Sequence, residues 1–168
     1  MEKSMTSFHI RRARICDVRF IHGILMHNAS NGLLLPRSLN QLYSHIRDFY
    51  VLEGESGDIQ GCCALSITWE DIGEIRSLAV NEEFRGRGFG AKLVRTCLDE
   101  AVELGLKRVF TLTYQVEFFD KLHFAEVSKD VLPQKVWADC IHCPKFPECD
   151  EHAMLLDLEG YAPCGSGN

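Results

Sequence analysis

Several hallmarks of common protein classes are missing from this sequence of 168 residues. No apolar run approaches the roughly 18 residues of a membrane-spanning helix, so the sequence predicts no membrane segment. The N-terminal stretch MEKSMTSFHIRRAR has no apolar core of the kind found in a signal peptide, and we therefore expect a cytoplasmic protein. The chain also has neither an internal repeat nor a low-complexity run.

Basic charge is in short supply as well. The chain has 18 Lys and Arg against 24 Asp and Glu, a formal net charge of -6. A nucleic-acid surface needs clustered basic charge, so no nucleic-acid partner is predicted. An anionic small molecule would have to be held by a few local cations. The length suits one domain, which we predict over residues 7–158, followed by a tail of small and polar residues at 159–168. The sequence leaves open whether the protein forms a homodimer.

Alternation of strand-like and helix-like segments predicts an α/β fold with a mostly antiparallel sheet and one strand–helix–strand crossover. The predicted strands are Ser7–Arg12, Phe49–Glu55, Gln60–Trp69, Glu74–Val80, Arg108–Tyr114, Ala125–Val127 and Ala153–Leu158. The predicted helices are Asp17–Ala29, one that Ser38 and Gln41 open as a capping box, one from about Gly88, and Glu117–Leu122. The apolar stripe predicted for the third helix is Leu93, Val94, Cys97, Leu98, Ala101 and Leu104, with Gly105 ending it.

The strongest motif is RGRGFG, Arg85–Gly90, which follows a strand and opens the long helix. Glycines allow positive φ and close approach of a ligand, and free N–H groups at a helix start favour an anion. The spacing fits neither a Walker P-loop nor a dinucleotide fingerprint, because Ala91 and Leu93 replace required residues and the glycines are evenly spaced. From spacing alone, a phosphate cradle and a glycine-softened turn both remain open.

Three ordered motifs carry a family resemblance over roughly residues 7–128. The loop fits R/Q-x-x-G-x-G/A, EIRSLAV precedes it, and FFDKLHF is similar to F-Y-x-x-x-G-F. Together they resemble the GNAT N-acetyltransferase superfamily, which implies a mixed sheet with helices on both faces and acetyl-CoA as co-substrate. The residues implied to contact acetyl-CoA are Leu78, Ala79, Val80, Arg85, Gly86, Arg87, Gly88, Phe89, Gly90, Phe118 and Lys121.

A narrower resemblance links four segments to the acetyltransferase part of bacterial N-acetylglutamate synthases, most closely the short stand-alone type. The segments are GLLLPRSLNQL (32–42), IGEIRSLAV (72–80), FTLTYQVEFFDKLHF (110–124) and LPQKVWADC (132–140). This resemblance implies direct acetyl transfer in a ternary complex to the α-amine of glutamate, the first step of arginine biosynthesis. Rival interpretations are another acceptor amine, such as glutamine, or a non-catalytic acyl-CoA-binding or metal-sensing module.

Glu74 is the candidate general base. Only a neutral amine attacks a thioester, so a base is needed near the acceptor, and many superfamily members place a glutamate at this strand position. Strand alternation predicts one face shared by Glu74, Arg76, Leu78 and Val80. Taken without the resemblance, the residue type and position favour a solvated hairpin residue.

The resemblance also implies that the backbone of Leu78–Val80 holds the pantetheine and the thioester carbonyl. The usual general acid is absent, because Phe119 stands where the family has Tyr, and His123 replaces the usual Gly. Water or Tyr114 could protonate the thiolate instead, although Tyr114 and His123 suit packing and turn roles better.

Glutamate would bring two carboxylates into an acidic protein, and arginine forks bind carboxylates well. Arg37 in LLLPRS stands where the resembled synthases hold the α-carboxylate. Arg76 and Lys135 are further candidates for substrate binding. The alternative for each of the three residues is a solvated surface charge.

The eight cysteines divide into four predicted core residues, a cluster of three near the C-terminus, and Cys164 in the tail. Cys16, Cys62, Cys63 and Cys97 fall on apolar patterns and are predicted to be core residues. Cys140, Cys143 and Cys149 lie in the Cys- and Pro-rich segment 133–152 with C-x2-C-x5-C spacing. A zinc site there would need a fourth ligand such as His142, His152 or Cys164. Reduced thiols or a Cys140–Cys149 disulfide are the alternatives, and no metal ligand is assigned.

Overall fold

The computed structural model describes residues 7–32, 34–132, 135 and 139–163. The strands in this part of the chain are β1 (Phe8–Arg12), β2 (Phe49–Gly54), β3 (Ile59–Ile67), β4 (Ile72–Val80), β5 (Arg108–Thr113), β6 (Ala125–Val127) and β7 (His152–Asp157). The α-helices are α1 (Val18–Ser30), α2 (Leu39–Ser44), α3 (Phe89–Glu103) and α4 (Val116–Asp120). Every predicted strand and helix is present, and no predicted bound differs by more than two residues.

The strands form one sheet in the order β1-β2-β3-β4-β5-β7-β6. β1 and β2, β2 and β3, β5 and β7, and β6 and β7 pair antiparallel, whereas β4 and β5 pair parallel. α3 connects the parallel pair, as a crossover must. The predicted α/β class with a mostly antiparallel mixed sheet is confirmed.

Contacts group the chain into two compact units. The first contains the residues up to Ala64 together with Ser77–Cys97, and the second contains Leu65–Arg76 together with the residues from Leu98 onward. The chain passes from the second unit to the first between Arg76 and Ser77, in the middle of β4.

The core of the first unit lies between α1, α2 and strands β2 and β3. α1 presents Val18, Ile21 and Leu25 at helical spacing, and these side chains pack with Cys62 and Ala64 of β3. Ser38 accepts a hydrogen bond from the Gln41 N–H, which confirms the predicted capping box of α2. α3 packs on the opposite side of β3, where the buried Leu93 lies beside Gly61.

The second unit has its own core of Ile72, Phe110, Leu132 and Ala153. Gly73 packs closely beside it, because a Cβ there would lie 2.9 Å from Leu106 Cδ1 and 3.1 Å from Leu65 Cδ1, and these side chains would have to shift. This close packing fixes the strand position immediately before Glu74.

Two core predictions are wrong. Leu104 is 57% exposed, since the apolar stripe of α3 ends at Ala101 and Leu104 lies beyond the last residue of the helix. Cys16 is exposed in the one-turn helix that precedes α1. Cys62, Cys63 and Cys97 are fully buried as predicted, and burial raises the pKa of Cys62 to about 12.

None of the described helices is both long and apolar enough to cross a membrane.

Candidate functional site

The glycine loop lies in the first unit, between a one-turn helix at Glu82–Phe84 and α3. Gly86 and Gly88 have φ values of +75° and +81°, so the loop requires residues that tolerate the left-handed region. Apart from the two chain neighbours of each glycine, no described residue has an atom within 4 Å of where a Cβ would sit, and the backbone is open to a ligand there. The first N–H groups of α3 follow directly, and such groups lack intrahelical partners and favour an anion.

Arg85 braces this loop. Its Nε donates to the carbonyl oxygen of Val80 at 3.0 Å, and its Nη2 donates to Asn28 Oδ1 at 2.8 Å. Asn28 is buried on α1, and its own Nδ2 donates to the Ile24 carbonyl at 2.8 Å. Arg85 therefore connects the loop to the end of β4 and to α1. The N–H groups that make these two hydrogen bonds are donors that a ligand could otherwise use.

Aromatic packing holds the two ends of the loop together. The Phe8 ring from β1 lies 5.3 Å from the Phe84 ring and 4.7 Å from the Phe89 ring, measured between centroids. Arg87 is exposed, stacks on Phe84 and donates to the Glu83 carbonyl at 3.3 Å. The loop thus has fixed ends, an open backbone and an exposed cation.

The regular alternation of β4 is broken at Ser77, whose φ is +55°. A residue in this region rotates the strand in the manner of a bulge, so the predicted common face from Glu74 to Val80 is wrong beyond Ser77. The ladder between β4 and β5 ends at the pair Glu74–Phe110. Beyond it, Thr111 Oγ1 donates to the Ile75 carbonyl at 2.9 Å, and a side chain replaces a ladder bond.

A charged cluster surrounds Glu74 in the second unit. Lys135 Nζ donates to Glu74 Oε1 at 2.9 Å, and Arg76 Nη1 lies 3.6 Å from the same oxygen. Asp139 Oδ2 accepts from Lys135 Nζ at 3.0 Å and from Arg76 Nη1 at 3.2 Å. Arg76 Nη2 also donates to Ser66 Oγ at 2.7 Å. The structure brings three predicted site residues, Glu74, Arg76 and Lys135, into one network.

The cluster is buried at one end and open at the other. Side-chain exposure rises from 4% at Glu74 and 10% at Lys135 to 44% at Asp139. Burial opposes the ammonium form of Lys135, but the Glu74 and Asp139 carboxylates outweigh it and raise the pKa of Lys135. With two carboxylates and two cations, the network is formally neutral and holds Glu74 beside fixed positive charge.

The remaining predicted residues lie elsewhere. Arg37 is half-buried in the first unit, directly before the cap of α2, while Phe118 and Lys121 lie on and just after α4 in the second unit. Phe119 is buried against Phe124, with ring centroids 5.2 Å apart, as a packing residue. His123 has a φ of +71° in a turn, which confirms the turn role where the family has glycine.

The Tyr114 hydroxyl hydrogen-bonds to Lys145 and Asp150. Its hydroxyl donates to Asp150 Oδ1 at 2.8 Å and accepts from Lys145 Nζ. Burial and Asp150 raise the pKa of Tyr114 despite the neighbouring Lys145. The hydroxyl proton is therefore held by Asp150.

The Cys- and Pro-rich segment carries three half-buried free thiols, at Cys140, Cys143 and Cys149. Burial raises the pKa of the Cys140 thiol. Among residues 7–32, 34–132, 135 and 139–163, no three His, Cys, Asp or Glu side chains are grouped as a metal site would require. Cys164, one of the fourth ligands considered, lies outside the described residues.

Known proteins share both the motifs and the fold. The model of the acetyltransferase (GNAT) family matches residues 26–124. The chain belongs to this family. It is 42% identical over 149 residues to an uncharacterised N-acetyltransferase from Chlorobaculum tepidum, covering 89% of this chain and 96% of that protein. It is also 39% identical to an amino-acid acetyltransferase from Mycobacterium tuberculosis, covering 70% of this chain and 68% of that enzyme.

Among solved structures, the GNAT chain is similar to N-acetylglutamate synthase from Neisseria gonorrhoeae, crystallised with coenzyme A and N-acetyl-glutamate. The TM-score is 0.81 at 30% identity, and the match covers 90% of this chain and 35% of that one. The chain thus spans about a third of that synthase. The predicted family, fold and acetyl-CoA-dependent acetyltransferase chemistry are confirmed.

Two residues that sequence reasoning missed now stand out. Asn28 continues the apolar stripe that Val18, Ile21 and Leu25 form on α1. A polar residue at a position where the helix pattern expects an apolar one was the available signal for a buried hydrogen-bonding role. Asp139 lies four residues after Lys135, and this i,i+4 spacing was the available signal there.

Replacing Asn28 by alanine is expected to raise KM for acetyl-CoA roughly tenfold, because Arg85 loses a buried partner and the loop loses its tie to α1. KM for the acceptor should change less than about twofold. Initial-rate kinetics check this, with the exposed Asn31→Ala at the end of the same helix as the control. Equal increases in both KM values would remove Asn28 from the role of positioning the loop.

Proposed function

We propose that this GNAT enzyme transfers acetyl from acetyl-CoA to the α-amine of L-glutamate in a ternary complex, giving N-acetylglutamate, as in the first step of arginine biosynthesis. The observation that carries the proposal is the cluster in which Glu74 lies beside Arg76 and Lys135. It offers a carboxylate to accept a proton and cations to hold an acidic acceptor. Similarity to an amino-acid acetyltransferase and to N-acetylglutamate synthase supports the same acceptor class.

Glu74 acts as the general base. The acceptor enters as an ammonium ion and must lose a proton before its nitrogen attacks the thioester carbon. Glu74 takes this proton directly or through one water. Lys135 and Arg76 hold the Glu74 side chain in one position and keep a cationic field beside it, and they are positioning residues in this step.

The acceptor carboxylates are held by cations. Arg37, at the LLLPRS position, binds the α-carboxylate, and Arg76 with Lys135 binds the side-chain carboxylate. A cationic acceptor such as a polyamine has no carboxylate for these three cations to bind, so they favour an acidic acceptor over it.

Acetyl-CoA is held by the glycine loop and the end of β4. The pyrophosphate binds the open backbone at Gly86 and Gly88 with the α3 N-terminus, and exposed Arg87 adds positive charge. A backbone N–H in Leu78–Val80 stabilises the developing oxyanion. Water protonates the departing thiolate, since Phe119 is apolar and the Tyr114 proton is held by Asp150. A thiol pKa of about 8.5 makes this leaving group tolerable.

The test is CoA release with a panel of acceptors: L-glutamate, L-glutamine, L-aspartate and putrescine. We expect the highest kcat/KM for L-glutamate and no measurable turnover of putrescine. A higher value for L-glutamine would transfer the proposal to a neutral side chain, and turnover of putrescine would contradict the assignment of the cations.

A further inference from the structure

Asp139 occupies the place that an acceptor carboxylate would take. A single oxygen, Oδ2, lies 3.0 Å from Lys135 Nζ and 3.2 Å from Arg76 Nη1. These are the two cations assigned above to the side-chain carboxylate of the acceptor. Charge-assisted hydrogen bonds from cationic side chains are the contacts by which proteins hold a carboxylate most strongly.

The two cations are anchored independently of Asp139. Lys135 is held by Glu74 at 2.9 Å, and Arg76 is held by Ser66 at 2.7 Å. Both cations also contact Asp139, whose side chain is 44% exposed and is the most accessible member of the cluster, and Arg76 Nη1 lies 3.6 Å from Glu74 Oε1 as well. If Asp139 moves away, Lys135 keeps its hydrogen bond to Glu74, and Arg76 keeps its hydrogen bond to Ser66.

We propose that Asp139 is an internal competitor for the acceptor carboxylate and sets the affinity of the site for acidic acceptors. The ligand class is a dicarboxylate, one of whose carboxylates displaces Asp139 from Arg76 and Lys135. This inference rests on the proposed function, since it assigns the same two cations to the acceptor. Displacement exchanges one carboxylate for another, so the charge of the buried cluster is conserved when the acceptor binds.

The thermodynamic consequence is a weaker apparent affinity. When only a fraction of molecules has the site open, the apparent Kd is the intrinsic Kd divided by that fraction. Replacing Asp139 by asparagine removes the competing charge and leaves two cations facing one buried carboxylate, Glu74. Affinity for an added carboxylate then increases.

The experiment measures binding of glutarate, a dicarboxylate without an amine, to the full chain by titration calorimetry. We expect Asp139→Asn to lower Kd about tenfold, Asp139→Glu to remain near the wild type, and the exposed control Asp130→Asn to leave Kd unchanged. In turnover assays, KM for glutamate should fall in parallel for Asp139→Asn while KM for acetyl-CoA stays constant.

The inference is overturned if the Asp139→Asn variant binds glutarate no more tightly than the wild type does. Weaker binding by the variant would also overturn it, because it would indicate that Asp139 only supports Lys135. Absence of glutarate binding in both proteins would also overturn it. Because glutarate binding requires no catalysis, tighter binding by a protein that does not acetylate glutamate would leave this inference standing and refute the proposed function.

Discussion

Replacing Glu74 by glutamine is expected to lower kcat by roughly 10²–10⁴-fold near neutral pH, the range typical of a lost general base. The substitution keeps the shape of the side chain and one hydrogen-bond acceptor for Lys135, but removes the charge that takes the proton. The deficit should shrink at alkaline pH, because the neutral fraction of the acceptor amine rises about tenfold per pH unit below its pKa. Kinetics of kcat against pH measure this effect.

The matched control is Glu103→Gln, which removes a carboxylate from an exposed position at the end of α3 and should leave the profile unchanged. A parallel downward shift of the whole Glu74→Gln profile, with the same deficit at every pH, would contradict a base role. Glu74 would then be one half of a structural ion pair.

Lys135→Met is expected to reduce the free energy of unfolding by roughly 3 kcal/mol, at the low end of the range for breaking a buried ion pair. The cause is desolvation, since Glu74 is only 4% exposed and loses its nearest cation. Arg76 stays 3.6 Å from the same oxygen and limits the loss. Denaturant unfolding of the wild type and the variant measures the difference.

The pH dependence of this difference has a definite sign. The pKa of Lys135 is raised in the folded protein, so its stabilising contribution is complete below the ordinary lysine pKa of about 10.4 and is lost as pH rises through the folded value. The double variant Glu74→Gln, Lys135→Met should recover part of the loss, because no unpaired buried carboxylate remains. A double variant that loses the sum of both single losses would contradict coupling of the pair.

Local signals predicted the parts of the fold that depend on near neighbours in the chain. Ser38 and Gln41 satisfy backbone groups within one turn, so their spacing is sufficient to place the start of α2. Gly86 and Gly88 adopt positive φ angles, and glycines in a loop are a direct sequence signal for such angles. His123 fills a left-handed turn in place of glycine, which histidine tolerates better than most residues do.

Partners distant in the chain could not be predicted in this way. Arg85 binds Asn28, 57 residues earlier in the chain. Arg76 and Asp139 are separated by 63 residues, and no periodicity connects them. The positive φ of Ser77 breaks the strand alternation. Serine carries no sequence signal for such a φ, so the break could not be predicted. Such contacts and bends follow from tertiary packing, which a local pattern does not encode.

The most direct test of the account is to identify the product formed from L-glutamate and acetyl-CoA labelled with ¹³C in the acetyl group. We predict N-acetylglutamate with the label on the α-nitrogen, formed in step with CoA release and abolished when either substrate is omitted. CoA release without labelled N-acetylglutamate, or a label on another acceptor in preference to glutamate, would contradict the central claim.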